Sequence, residues 1–346
     1  MVRKILATLL LIGIASAGLL EKPDFSKVGT SGAAFLKINT SARIQGLAGA
    51  FSAIANDVTG MTMNPAGLGN LTRPQVSINY TKWIADINYG YIAVGFPVKF
   101  GAFGIQAGML SIGDMEETTL EEPEGTGFTF SASSMVFGMT YARAMTDKLT
   151  FGITGKFIRE SIKRESATGL AVDLGSYYRT GFKSLRIAMA INNFGTSMRF
   201  KGPDLDYPVI PSDWQDEWNY AGGPLPLSLK SSSYSLPLMF RLGIAYDFID
   251  NGKNLLTGDF DLLHPNDGQE KFALGFEYTF DRIFSLRVGY KLDPDKYWDQ
   301  ESKIEGLSAG TGLKLRLPNA LLNIDYAFVN NGKLGFNHFV TVGYSF

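Results

Sequence analysis

The chain has 346 residues and a formal charge of -1, so it carries no basic footprint for nucleic acid. It contains no cysteine and two histidines, which excludes a disulfide framework and thiolate metal sites and argues against a histidine-built metal centre. Its length admits either two soluble domains or one large barrel, and its glycine and aromatic content suits many strands joined by tight turns.

The N-terminus reads as an export segment over residues 1–17. Arg3 and Lys4 form a basic start, residues 5–14 an apolar core too short to span a bilayer, and Ala15, Ser16 and Ala17 a small-residue cleavage pattern. The expected mature chain begins near Gly18. Residues 18–73 follow as an expected plug, or hatch. The stretch 33–71 is rich in Gly, Ala, Ser, Thr and Asn and has no long apolar run; small side chains let a backbone pass through a crowded lumen. Asn64 precedes Pro65, a turn signal that also suits an Asn cap on a helix opening with proline. Taken alone, this stretch also fits the loop-and-helix start of a soluble domain.

The strands downstream decide for a barrel over residues 74–346. From Gln75 the sequence period is two. Phe272, Leu274, Phe276, Tyr278 and Phe280 alternate with Lys271, Ala273, Gly275, Glu277 and Thr279. Leu238 to Phe248, Phe284 to Leu292 and Leu321 to Phe328 repeat the pattern. Runs of about ten residues match a tilted membrane-crossing strand better than the shorter strands of a sandwich. One face is Gly, Ser, Asp, Asn and Arg and the other is large and aliphatic with aromatics near strand ends, the lumen-in, lipid-out pattern. The expected fold is an all-β transmembrane antiparallel barrel of about fourteen strands, its connections alternating between tight turns and longer loops. Residues 162–167 are placed among the longer ones. The final strand ends on the aromatic Phe346, as strands recognised for outer-membrane assembly do.

Charges assigned to the lumen by parity include Lys156, Asp173, Arg186, Arg241, Asp247, Asp259, Asp261, Glu277, Arg287, Lys291 and Asp325. Both signs are present, which points to pairing among themselves or with Arg43 and Asp57 of the plug. The acidic run from Asp114 to Glu124 has no balancing base in sequence and reads as a solvated loop. The connection 195–233 is too long for filler. It holds Tyr207, Trp214, Trp218 and Tyr220 among prolines, which reads either as a partner-binding surface or as an inward lid. No nucleophile, acid–base pair or cofactor motif is present, so neither an enzyme nor a cofactor is expected. Gly306 to Gly310 matches a nucleophile elbow in letters but continues as a strand.

The ordered series Leu36-Lys37-Ile38, Ala42-Arg43, Gly49-Ala50, Asn56-Asp57 and Asn64-Pro65-Ala66-Gly67-Leu68 resembles the N-terminal signature of the PorV/PorQ family, relatives of the FadL-type outer-membrane transporters. The likeness continues through Ala171 to Arg179, Asn192-Asn193-Phe194-Gly195, Arg241 to Tyr246 and Arg287 to Tyr290. It implies a fourteen-stranded barrel with an N-terminal hatch whose motif residues are Arg43, Asp57, Asn64, Pro65, Ala66 and Gly67. It also implies one of two roles. The first is type IX secretion or surface attachment, with a secretion-pore subunit or secreted cargo as partner. The alternative is FadL-like transport of long-chain fatty acids or other hydrophobic molecules, with Phe35, Leu36, Phe51, Met61 and Met63 as candidate ligand contacts. Outer-membrane lipids are partners in either case.

Overall fold

The computed structural model describes residues 27–209, 225–293 and 305–346. The export segment expected at 1–17 lies outside them. Fourteen antiparallel strands close into one barrel. In chain order they are β1 (Gln75–Lys82), β2 (Asn88–Val98), β3 (Gly101–Glu116), β4 (Thr129–Ala144), β5 (Leu149–Ile162), β6 (Glu165–Arg179) and β7 (Arg186–Gly195), then β10 (Met239–Asp250), β11 (Asn254–Pro265), β12 (Lys271–Phe280), β13 (Phe284–Leu292), β14 (Leu307–Leu317), β15 (Ala320–Asn330) and β16 (Phe336–Ser345). Between β7 and β10 a separate two-stranded ribbon forms from β8 (Asp206–Val209) and β9 (Leu225–Ser228). Closure joins β1 to β16, with Gln75 opposite Ser345 and Lys82 opposite His338. No barrel edge is left to pair with another chain.

The period-two pattern is realised as an inside and an outside. Along β16, Asn337, Phe339, Thr341, Gly343 and Ser345 are buried while His338, Val340, Val342 and Tyr344 are exposed. The exposed face is apolar all round the barrel: Ile244, Leu274, Val288, Ile324 and Val342 lie open on five strands. Such a continuous apolar outer surface has no place in water and matches the lipid-facing band of a membrane barrel. No helix among the described residues is long and apolar enough to cross a membrane; the crossing is made by strands.

Two expectations about connections need correction. The 162–167 segment is not a long loop: β5 and β6 run to within two residues of each other, joined by Lys163 and Arg164, with Lys163 at φ 52°. The pairing continues to Ile162 opposite Glu165, because Ser161 and Ser166 sit equally well in the ladder once the strands extend beyond the apolar band. The acidic run is also not without a base, since Lys163 on that turn pairs with Glu117 at 2.6 Å.

The core of this molecule is its lumen. Residues 33–71 thread it as short turns of helix, Ala34–Lys37, Ala42–Gln45, Val58–Thr62 and Pro65–Asn70. Ile44, Leu47, Phe51, Val58, Met61 and Leu68 are fully or almost fully buried there. The chain passes so close to the wall that inward side chains must vanish. A Cβ added at Gly152 on β5 would lie 2.3 Å from the carbonyl carbon of Pro65, and one at Gly289 on β13 2.2 Å from that of Leu47.

Candidate functional site

The plug is fixed to the wall by polar groups of both partners. Asn64 caps the Pro65–Asn70 turn by accepting from the Ala66 N–H at 3.0 Å. Its amide also donates to the Ser52 carbonyl and, across to β6, to the Ser176 carbonyl. Asp57 caps Val58–Thr62 through the N–H groups of Thr59 and Gly60. Its second oxygen takes Arg43 Nη1 at 2.6 Å. Arg43 also reaches the wall, donating to Glu277 on β12 through Nε and Nη2 at 3.0 and 2.8 Å. Arg287 on β13 then joins Glu277 to Asp325 on β15, each at 2.6 Å. A chain of alternating charge thus runs from plug to wall, each member held by an opposite neighbour, as burial demands.

Elsewhere, Asp261 on β11 accepts from the backbone N–H groups of Phe51 and Ser52 and from the Ser52 hydroxyl. Thr341 on β16 accepts from the Ala42 N–H. At the opposite side β7 bulges: the register with β6 slips between Val172 and Leu174, and Asn193 takes φ 62°. The bulge turns both Asn192 and Asn193 inward. Asp173 fills the gap in the ladder by accepting the Asn193 N–H at 2.7 Å, and Lys156 bridges Asp173 and the Asn193 amide oxygen.

Above this plug, towards the end where the longer connections lie, the lumen stays open. A cavity of about 950 Å³ is bounded below by Leu36, Ile38 and Met63 of the plug. Its sides include Tyr89, Tyr91, Val136, Leu263 and Phe339, and its mouth Asp267, Asp293 and Asn331. On the other side of the plug a small cleft of about 30 Å³ lies around Ser41, Arg43 and Asp57. The plug therefore forms one boundary of a roomy chamber at the long-loop end. The chamber mouth is tied to the plug by Lys37 and Ser31, which both donate to Asp267. Burial alone would push the Asp267 carboxyl up, but these two donors hold it below its ordinary value of 3.8.

Of the residues singled out as ligand contacts, Leu36 and Met63 line the chamber. Phe35, Phe51 and Met61 do not. Phe35 packs edge-on against Tyr89, Phe51 lies beneath the Arg43 guanidinium, 5.0 Å from it, and Met61 fills the space over Gly104. These three wedge the plug in place. Arg43, Asp57, Asn64 and Pro65 all sit at plug–wall or cap positions, buried Ala66 lies against Gly152 of the wall, and Gly67 is buried where the plug folds on itself against Ala55. Tyr207 is exposed on the ribbon; Trp214, Trp218 and Tyr220 lie outside the described residues. The chamber residues that sequence reading did not mark, such as Tyr89, Tyr91 and Gln106, are inward positions of β2 and β3 that parity alone would have indicated.

A closed barrel of fourteen antiparallel strands, an N-terminal plug threaded through it and a chamber on one side of the plug define a plugged transmembrane β-barrel. The model of the uncharacterised protein family UPF0164 matches residues 13–202, more than half of the chain, and the chain belongs to that family. No curated protein matches the sequence. Among solved structures, the chain is similar to the toluene transporter TodX of Pseudomonas putida, at 13% identity over 88% of this chain and 97% of that one, with a TM-score of 0.56. It is also similar to a FadL homologue of Pseudomonas aeruginosa, at 11% identity over 89% and 98% of the two chains and a TM-score of 0.51. The toluene transporter TbuX of Ralstonia pickettii is similar at 12% identity over 87% and 96%, also with a TM-score of 0.51. At such identities the likeness establishes a shared fold.

Proposed function

We propose that this protein is a channel for hydrophobic molecules, embedded in the bacterial outer membrane and delivered there by the segment 1–17. The observation that carries this reading is the chamber of about 950 Å³ between plug and wall, a volume suited to a small apolar ligand. Its apolar surface comes from both plug and barrel. A solute entering from the long-loop end would meet Leu36, Ile38 and Met63 at the chamber floor. The toluene transporters TodX and TbuX share the fold and support the same reading. The resemblance to PorV/PorQ rests on sequence motifs, and no feature of the described residues favours secretion over transport.

Filling the chamber tests the proposal. Met63→Trp, placed at the floor, should reduce entry of a neutral hydrocarbon such as toluene into proteoliposomes several-fold while the barrel remains resistant to unfolding by detergent at room temperature. Toluene entry equal to that of protein-free vesicles for the unmodified protein would refute the transport reading.

A further inference from the structure

Six short turns close one end of the barrel: 99–100, 145–148, 180–185, 251–253, 281–283 and 318–319. The first five, consecutive around the rim, each carry one exposed cation: Lys99, Lys148, Lys183, Lys253 and Arg282. Arg143 adds a sixth on the outer face of β4, opposite the exposed Phe151 and next to the inward Ala142. Asp147 and Asp281 are the only acids in these turns, and Asp250, just before one of them, accepts the Gly252 N–H. Among the described residues none of the six cations forms an ion pair. The opposite end differs. There Lys82, Lys163, Arg164 and Lys271 stand against Asp86, Glu117, Asp204 and Asp293, and the loop after β3 adds Glu121, Glu122 and Glu124. Arg199, Lys201 and Lys230 share a cleft with Asp206 at the ribbon.

The unpaired cations sit at the edge of the lipid-facing belt. The Lys253 ammonium lies 5.3 Å from the ring centre of Phe280, an exposed outward side chain of β12. Phe100, Phe182 and Phe284 are exposed close in sequence to Lys99, Lys183 and Arg282. Aromatic side chains at strand ends mark the boundary between hydrocarbon and headgroups. A lysine or arginine at that boundary lays its alkyl stem along the apolar belt and puts its charge at headgroup depth. Neighbouring turns also bring the charges together. The Lys253 carbonyl accepts the Asp281 N–H, which sets Lys253 beside the Arg282 turn. Lys148 Nζ lies 3.1 Å from where a Cβ on Gly181 would stand, two residues from Lys183. A row of like charges repels itself unless anions lie against it.

We propose that the short-turn rim is a binding surface for anionic phospholipid headgroups in the leaflet on that side, a phosphodiester without an ammonium of its own. A guanidinium such as that of Arg143 or Arg282 takes two phosphate oxygens at once, while the lysines add point charge. Zwitterionic headgroups bring their own cation and fit the rim less well, and the carboxylate-rich opposite end repels the anionic ones. The inference rests on the barrel spanning a membrane and is independent of the transport reading. No bond is made or broken.

The test uses spin-labelled phosphatidylglycerol and phosphatidylcholine with the same labelled chain, each as a trace probe in phosphatidylcholine vesicles holding the full folded protein. The motionally restricted fraction of each spectrum reports lipid at the barrel surface. At about 0.01 M salt phosphatidylglycerol should associate about threefold more than phosphatidylcholine, and the ratio should fall towards one at about 1 M, where exposed charges are screened. The triple variant Arg143→Gln, Lys253→Gln and Arg282→Gln should lose the preference at low salt. Its restricted phosphatidylcholine fraction should be unchanged, which shows that the barrel is folded. The milder pair Lys253→Gln and Arg282→Gln should lose part of the preference. Lys82→Gln with Lys163→Gln, at the opposite end, should keep all of it. A ratio of one for the unmodified protein, a preference that persists at high salt, or a folded triple variant that retains it would overturn the proposal. Loss of the preference in the Lys82 and Lys163 variant would overturn it too, by placing the site at the other end.

Discussion

Asn64 shows how much one residue can carry in a plug. Its extended backbone precedes Pro65, its Oδ1 caps the next turn, and its amide ties together two carbonyls from different parts of the fold. Asn64→Ala removes the cap and leaves the Ser52 and Ser176 carbonyls without this donor, so a loss of about 2–3 kcal/mol is expected from a cap together with a buried hydrogen bond. Urea unfolding in lipid vesicles would measure it, and a loss below about 0.5 kcal/mol would show that the plug does not contribute to barrel stability. Asp267 makes a different contribution. Because its folded pKa lies below the ordinary 3.8, the tie to Lys37 and Ser31 stabilises the fold fully above that value and is lost as pH falls through the lower folded value. The chain has no cysteine, so a spin label on Ala34→Cys, an exposed position beside the tie, reports it alone. The label should be immobile at neutral pH and become mobile only below pH 3.8, and it should be mobile at every pH in Asp267→Asn. A label equally mobile in both proteins at neutral pH would show that this tie does not hold the segment.

At the scale of elements, strands were the most legible part of the sequence. A face that alternates every second residue over ten positions has one meaning in an extended chain, and β12 and β13 have the expected bounds of 271–280 and 284–292. Parity also placed the lumen charges, and the structure joins Arg43 to Asp57 and Glu277, Lys156 to Asp173, and Arg186 to Asp247. What parity could not supply was distance along the barrel axis, so which inward charges lack a partner, such as Asp259 and Arg241 Nε, was not readable. The turn at Lys163 and Arg164 was misread because polar residues beyond the apolar band still pair. Inward glycines were a signal left unused. Gly152, Gly175 and Gly289 lie where plug backbone or the Asn64 side chain would occupy the space of a Cβ, so a row of inward glycines marks the docking track of the plug. The same closeness permits a lock. A Cβ at Gly69 would stand 3.6 Å from that of Ala142 on β4, within disulfide range, once Thr150→Ser removes the methyl that would lie 2.6 Å away. The pair Gly69→Cys and Ala142→Cys should oxidise readily and leave solute entry unchanged, because the 64–70 turn is already bonded to the wall. Loss of entry on oxidation, regained on reduction, would show that the plug moves as one body.

The whole molecule inverts the usual arrangement of a protein. Its largest apolar surface faces out and its buried polar network faces in, so the solvent outside must be lipid and the lumen must be filled by the chain itself. The barrel has no sheet edge, every strand finds both neighbours, and backbone polar groups within the wall are satisfied without water. That arrangement holds only while the outer belt stays apolar. Ile244 stands on the exposed face near the middle of β10, with Phe260 and Leu274 exposed on the next two strands. It should therefore lie near the mid-depth of the bilayer, where a lipid-facing arginine costs about 2–4 kcal/mol. Arg241, only three residues away, has its charge on the opposite face of the same strand. Ile244→Arg should lower folding stability in vesicles by that amount, whereas an arginine at Phe280, by the short turn that leads into β13, should cost about 1 kcal/mol or less. Equal costs at the two positions would mean that β10 does not cross the membrane at the depth its pattern implies, and the mouth of the chamber would then have to be placed afresh relative to the lipid surface.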